Sequence, residues 1–165
     1  MPIIVPTPNT VITSAWGKSV ADAINGAIPH ELAYTQLTAI RTVTSTTEVS
    51  ADAVIIGPAV TYDGATPVLV ECFAPAALPP PAASAQLHLW LYQDGVSIGR
   101  LAFILSAAAA QAAVPVHAAR RLTPTAGSHQ FTFAATVSGA SGSVNGGPGG
   151  VGQYMPGYIR VTRAA

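Results

Sequence analysis

QLHLWLYQDGVSIGRLAFIL, residues 86–105, carries the pattern on which the reading of the whole chain rests. Leu87, Leu89 and Leu91 alternate with Gln86, His88, Trp90 and Tyr92, the period-two signature of a strand with one buried face. Asp94-Gly95 then interrupts two apolar runs. Asp and Gly tolerate the positive φ that both central residues of a tight hairpin turn require. With that turn, Gln93 opposes Val96 and Leu91 opposes Ile98, but an unbroken ladder would set Leu89 against Arg100. One extra residue at Gly99-Arg100 restores an apolar row, Leu89 with Leu101, Leu87 with Phe103 and Ala85 with Leu105. The expectation is a long hairpin with a single β-bulge at Gly99-Arg100.

Working outward, further strands follow from short apolar or β-branched runs between turn residues. They are expected at Thr35 to Thr47, at Ala53 to Ile56, and at Val60 to Tyr62 hairpinned through Asp63-Gly64 to Pro67 to Phe73. Val114 to Leu122, Gly127 to Val137 and Tyr158 to Thr162 complete the set. Pro75 to Ala83 reads as a proline-rich connection, Ser106 to Ala113 as an alanine-rich one, and Gly139 to Gly152 as a glycine-rich loop. About eight to ten strands with no interleaved helices make an all-β antiparallel sandwich or jelly roll.

The first 30 residues differ in kind. Prolines at 2, 6 and 8 impose an extended arm. From Ser14, the residues Trp16, Val20, Ala23 and Ile24 fall on one helical stripe, with Gly26 placed to end it. So short a helix is unstable alone and needs a docking surface, either this chain's own domain or another protein. The expected organisation is an attachment arm with one short helix over residues 1–30 and a jelly-roll domain over 31–165, with Trp16, Val20 and Ile24 as the attachment stripe.

Charged residues are 8% of the chain and the net charge is zero, against about 25% charged in ordinary domains. So weakly charged a surface points to association with other chains and offers no electrostatic footprint for nucleic acid or an anionic membrane. The amino-terminal residues lack the pattern of a cleavable signal, and no apolar run is long enough to span a membrane. Synthesis in a cytoplasm is the expectation.

Chemistry-bearing motifs are sparse. Gly147-Pro148-Gly149-Gly150-Val151-Gly152 has the letters of a dinucleotide fingerprint, but Met155-Pro156-Gly157 forbids the helix that motif needs. The single Cys72 lies in an apolar run and reads as a small core residue. His30, His88, His117 and His129 lack ligand spacing, although His88 and His117 would form a pair if their strands met across a sheet. Glu71, inside an apolar strand, calls for an outward position or an Arg partner. No cofactor, no metal and no enzymatic activity are expected.

Five segments carry a resemblance: PNTVITSAWGKSVADAI, VTYDGATPVLVECFAP, LYQDGVSIGR, RRLTPTAGSHQFTFAA and PGYIRVTR. In this order they resemble small structural proteins of bacteriophages infecting actinobacteria, including minor tail, head-fibre and capsid-decoration proteins. The body is also similar to trimeric jelly-roll modules of the tumour-necrosis-factor-like type. The resemblance implies a virion location, a homotrimer, and docking on the major capsid protein or another virion protein, without catalytic residues. His88, Trp90 and Tyr92, opposite the leucine row, are the candidate trimer interface. A second class stays open, a tail or fibre module whose exposed Trp90 and Tyr92 stack on host-surface glycan.

Overall fold

The computed structural model describes Ala15, residues 17–20, 30–107 and 111–164. By its contacts the chain parts into two compact units, Met1–His30 with Ala165, and Glu31–Ala164. In the first unit, Ala15 and residues 17–20 are helical and Val20 is half-buried. Trp16, Ile24 and the proline arm lie outside the described residues.

The second unit is an antiparallel jelly roll. Its larger sheet holds β1 (Glu31–Leu37), β2 (Arg41–Val43), β5 (Val68–Leu78), β8 (Val114–Leu122), β11 (Gly142–Asn145) and β12 (Gly157–Arg163). Its smaller sheet runs in the order β3 (Asp52–Ile56), β10 (Phe131–Val137), β6 (Gln86–Gln93) and β7 (Val96–Leu105). A two-stranded ribbon pairs β4 (Val60–Asp63) with β9 (Ala126–His129). Between the sheets lie Leu87, Leu89, Leu91, Phe131 and Phe133 from one side and Val68, Val70, Cys72, Ile159 and Val161 from the other, all buried.

β5 organises the larger sheet. One edge pairs with β8; the other pairs first with β12 over Val68 to Phe73 and then with β11 over Ala76 to Leu78. Pro75 falls in the gap between β12 and β11, and opposite the register shift between Ala74 and Ala77 on the β8 side. Its missing N–H therefore removes no ladder bond. This is why the strand continues through residues that the sequence marks as a proline-rich loop.

The long strand expected over Thr35 to Thr47 is two strands, β1 on β12 and β2 on β11. At the joint, Gly146 N–H donates to the Ala39 carbonyl, and a side chain at Gly146 would place its Cβ 2.0 Å from the Leu37 carbonyl oxygen. Gly146 belongs to the glycine-rich segment, which thus contains a strand, β11, rather than only a loop. The expected hairpin of residues 60–73 is likewise replaced: β4 pairs with β9, and Asp63 closes the following turn by accepting from the N–H groups of Ala65 and Thr66 at 2.8 and 2.7 Å. Gly127 to Val137 divides at Gln130 into β9 and β10, which lie in different sheets.

The β6–β7 hairpin turns at Asp94 and Gly95, whose φ angles are +52° and +79°. Its register shifts twice, not once: Leu91 pairs with Gly99, Leu89 with Ala102 and Leu87 with Ile104. Ile98 and Leu101 are the extra residues. The second shift turns Phe103 outward, opposite His88, where a single bulge would have set it against Leu87 in the core.

Candidate functional site

Among the described residues, three groups of side chains carry the chemistry of the surface. The first spans the outward side of the larger sheet. Alternation along β5 buries Val70 and Cys72 and turns Glu71 and Phe73 outward. The same alternation on β12 presents Tyr158 and Arg160, while β1 contributes Tyr34 and β8 His117. Their rings form a continuous belt across four strands, with centroids 5.8 Å apart for Tyr34 and Tyr158, 5.4 Å for Tyr158 and Phe73, and 6.4 Å for Phe73 and His117. Glu71 has both features expected of it: it points outward and it holds Arg160, whose Nε and Nη2 donate to Oε2 at 2.9 and 2.7 Å. His117 Nε2 is 3.6 Å from Oε1. The central charges of this face thus cancel one another.

The second group lies on the outward side of the smaller sheet. His88 stacks on Trp90, with centroids 5.9 Å apart and an interplanar angle of 23°, and meets Phe103 at 5.2 Å. The Trp90 indole N–H donates to Thr136 Oγ1 at 3.0 Å, which fixes the ring. Arg100 lies over both Trp90 and Phe103, 5.7 and 5.9 Å from the ring centroids, a cation–π arrangement. Arg100 Nη1 donates to His88 Nδ1 at 3.1 Å, so His88 Nε2–H donates to Gln86 Oε1 at 3.1 Å. Burial and then the Arg100 charge hold the His88 pKa below its ordinary value, favouring neutral imidazole.

Tyr92 does not join this open patch. It is buried, and its hydroxyl donates to the Glu48 carbonyl in the 3-10 turn Glu48–Ser50. That crossing segment is latched by Asp52, whose Oδ2 accepts from the N–H groups of Thr44 and Ser45 at 2.6 and 2.9 Å. Burial raises the Asp52 pKa, but these bonds outweigh it and leave the carboxyl below its ordinary value. Open clefts of about 220 and 380 Å³ flank Tyr92, one lined by Ala53, Ile56 and Thr132, the other by Glu48, Val96 and Ser97.

The third group was not visible in the sequence. Asp94 Oδ2 lies 2.6 Å from His129 Nδ1, and His129 Nε2 lies 3.0 Å from Thr125 Oγ1, the order of an acid–base–hydroxyl relay. Its partners mark it as a clamp: Asp94 also accepts from Gln130 N–H and donates its own N–H to the Gln130 carbonyl, both at 2.9 Å. His129 Nε2 is shared with the Thr125 carbonyl at 3.1 Å. These bonds tie the β6–β7 turn to the start of β10 and to the loop before β9. They also hold the Asp94 carboxyl below its usual range, the His129 bond first.

His88 and His117 do not meet, since they stand on different sheets with different partners. Among the described residues, no group of three or more His, Cys, Asp or Glu side chains has the arrangement of a metal site. Cys72 is buried, and burial followed by the neighbouring Glu71 pushes its thiol up to about 12, which leaves little reactive thiolate. Among the described residues no helix is long and apolar enough to cross a membrane. Neither protein-family models nor curated proteins give a match to the chain.

Proposed function

We propose that this protein is a structural component of a phage virion, a homotrimeric capsid-decoration or head-fibre protein that docks on the major capsid protein or another virion protein through residues 1–30. The observation that carries the self-association is the aromatic belt of Tyr34, Tyr158, Phe73 and His117, which crosses four strands of the larger sheet on its outward side. Its central Glu71–Arg160 pair leaves it locally neutral, so another copy covers it without stranding an unpaired charge. The face of His88, Trp90 and Tyr92 holds less: Tyr92 is buried within the chain, leaving His88 and Trp90. The virion setting and the trimer rest on the resemblance of the five segments. Catalysis is not part of this reading.

A second reading, a tail or fibre module for host-surface glycan, is favoured by the open rings of Trp90 and Phe103 beside Arg100. Adding labelled full-length protein to phage particles that lack it tests the first. Full occupancy on heads, weakened by Trp16→Ala without a lower melting temperature, is the expected result. Label confined to tail tips favours the second, and absence of binding to any particle contradicts both.

A further inference from the structure

We infer that the outward surface of β6 and β7 formed by His88, Trp90, Arg100 and Phe103 binds a carboxylate-bearing pyranose, the unit of an acidic polysaccharide. The inference deepens the glycan reading and rests on this face remaining uncovered when the larger sheet makes the contacts between copies. Three features of the site converge on that ligand. Trp90 is held by Thr136 and braced by stacked His88, so its ring orientation is set before anything binds and little side-chain entropy is lost on binding. Phe103 is 48% exposed and extends the apolar surface.

The third feature is the charge of Arg100. Arg160 is matched by Glu71, and Arg120 donates to the Ile98 carbonyl. Arg100 instead rests on aromatic rings and neutral His88, and among the described residues no carboxylate stands within ion-pair distance of it. One arm of its guanidinium is engaged by His88, and the other N–H groups are open to a planar, two-oxygen acceptor. A hexuronic acid presents an apolar C–H face to the rings and a carboxylate at one edge to Arg100. A neutral sugar lacks the charge, and inorganic phosphate lacks the apolar face. So small a contact gives weak binding per site, which multiple copies on one particle raise by avidity.

The test uses the full chain with Trp16→Phe, leaving Trp90 as the only tryptophan. Its fluorescence is followed against a galacturonic acid trimer, a glucose trimer and inorganic phosphate, with the oligomeric state of each sample measured in parallel. Saturable quenching by the acidic trimer is expected, at least tenfold weaker binding in Arg100→Gln, and a similar loss in Phe103→Ser, both at exposed positions that leave the fold intact. Absence of quenching by the acidic trimer, equal affinity for the glucose trimer, an equal response to phosphate, or unchanged binding in Arg100→Gln each overturns the proposal. Monomeric samples that still bind the acidic trimer contradict the trimer and leave this site standing; trimeric samples that do not bind it contradict the site alone.

Discussion

Arg160 grips a single oxygen of Glu71, with Nε and Nη2 2.9 and 2.7 Å from Oε2, in the middle of a belt of aromatic rings. Glu71 is the more deeply set partner, its side chain 12% exposed against 39% for Arg160. Glu71→Gln therefore leaves the Arg160 charge unmatched on the face assigned to self-association. The expected cost to folding is about 1 kcal/mol, that of a partly exposed ion pair, accompanied by weaker association. Urea unfolding and sedimentation of the variant check the two effects separately.

Gly146→Ala should be far more damaging. Its Cβ would fall 2.0 Å from the Leu37 carbonyl oxygen, at the point where β1 gives way to β2. No rotamer relieves a clash between Cβ and backbone, so the joint must open. Soluble, native-like variant with an unchanged melting temperature would show that the two strands are not joined in this way.

Leu89 is fully buried between the sheets, and Leu89→Ala is expected to cost about 2–5 kcal/mol through lost burial and a residual cavity. Val96, at 67% exposure beside the turn, is the control; Val96→Ser should stay within about 0.5 kcal/mol of the parent. Denaturant midpoints of the two variants compared with the parent decide the matter, and similar midpoints would place the leucine row outside the core.

The hairpin's buried face was legible because Leu87, Leu89 and Leu91 alternate without interruption and Asp94-Gly95 fixes the turn. Its outward face was not. Ile98 and Leu101 both bulge, and two one-residue shifts cannot be distinguished from one by apolar pairing alone, since Leu101 and Phe103 suit a core as well as Ala102 and Ile104 do. Apolar pairing alone consequently does not place Phe103 on the outward face beside Trp90 and Arg100. The belt was half legible: Tyr158 and Arg160 alternate with Ile159 and Val161, but their alignment with Tyr34 and His117 depends on pairings between residues far apart in sequence. The clamp of Asp94, His129 and Thr125 was hidden for the same reason.

Acid should loosen two parts of the smaller sheet by different routes. The His88 pKa is lowered in the folded protein from 6.5 by burial and by Arg100. Between the folded and unfolded values the unfolded chain binds more protons, so stability is full above about pH 6.5 and declines as pH falls toward the folded value. His88→Gln should flatten this decline. For Asp52, lowered from 3.8, the contribution is present above about pH 4 and is lost as pH falls through the folded value; Asp52→Ala removes it and releases the Thr44 and Ser45 amides. Melting temperatures of both variants across pH, with amide exchange at Ser45, check the two windows, and parallel curves for variants and parent would refute both assignments.

Light scattering after size-exclusion chromatography, on the wild type and on Tyr158→Glu, tests the central claim most directly. The proposed trimer predicts three copies of the 16.7 kDa chain for the wild type and one copy for Tyr158→Glu, with the variant's jelly roll still folded. A wild type that stays at one chain mass at micromolar concentration would contradict the account, as would a Tyr158→Glu variant that remains trimeric while Trp90→Ala falls apart.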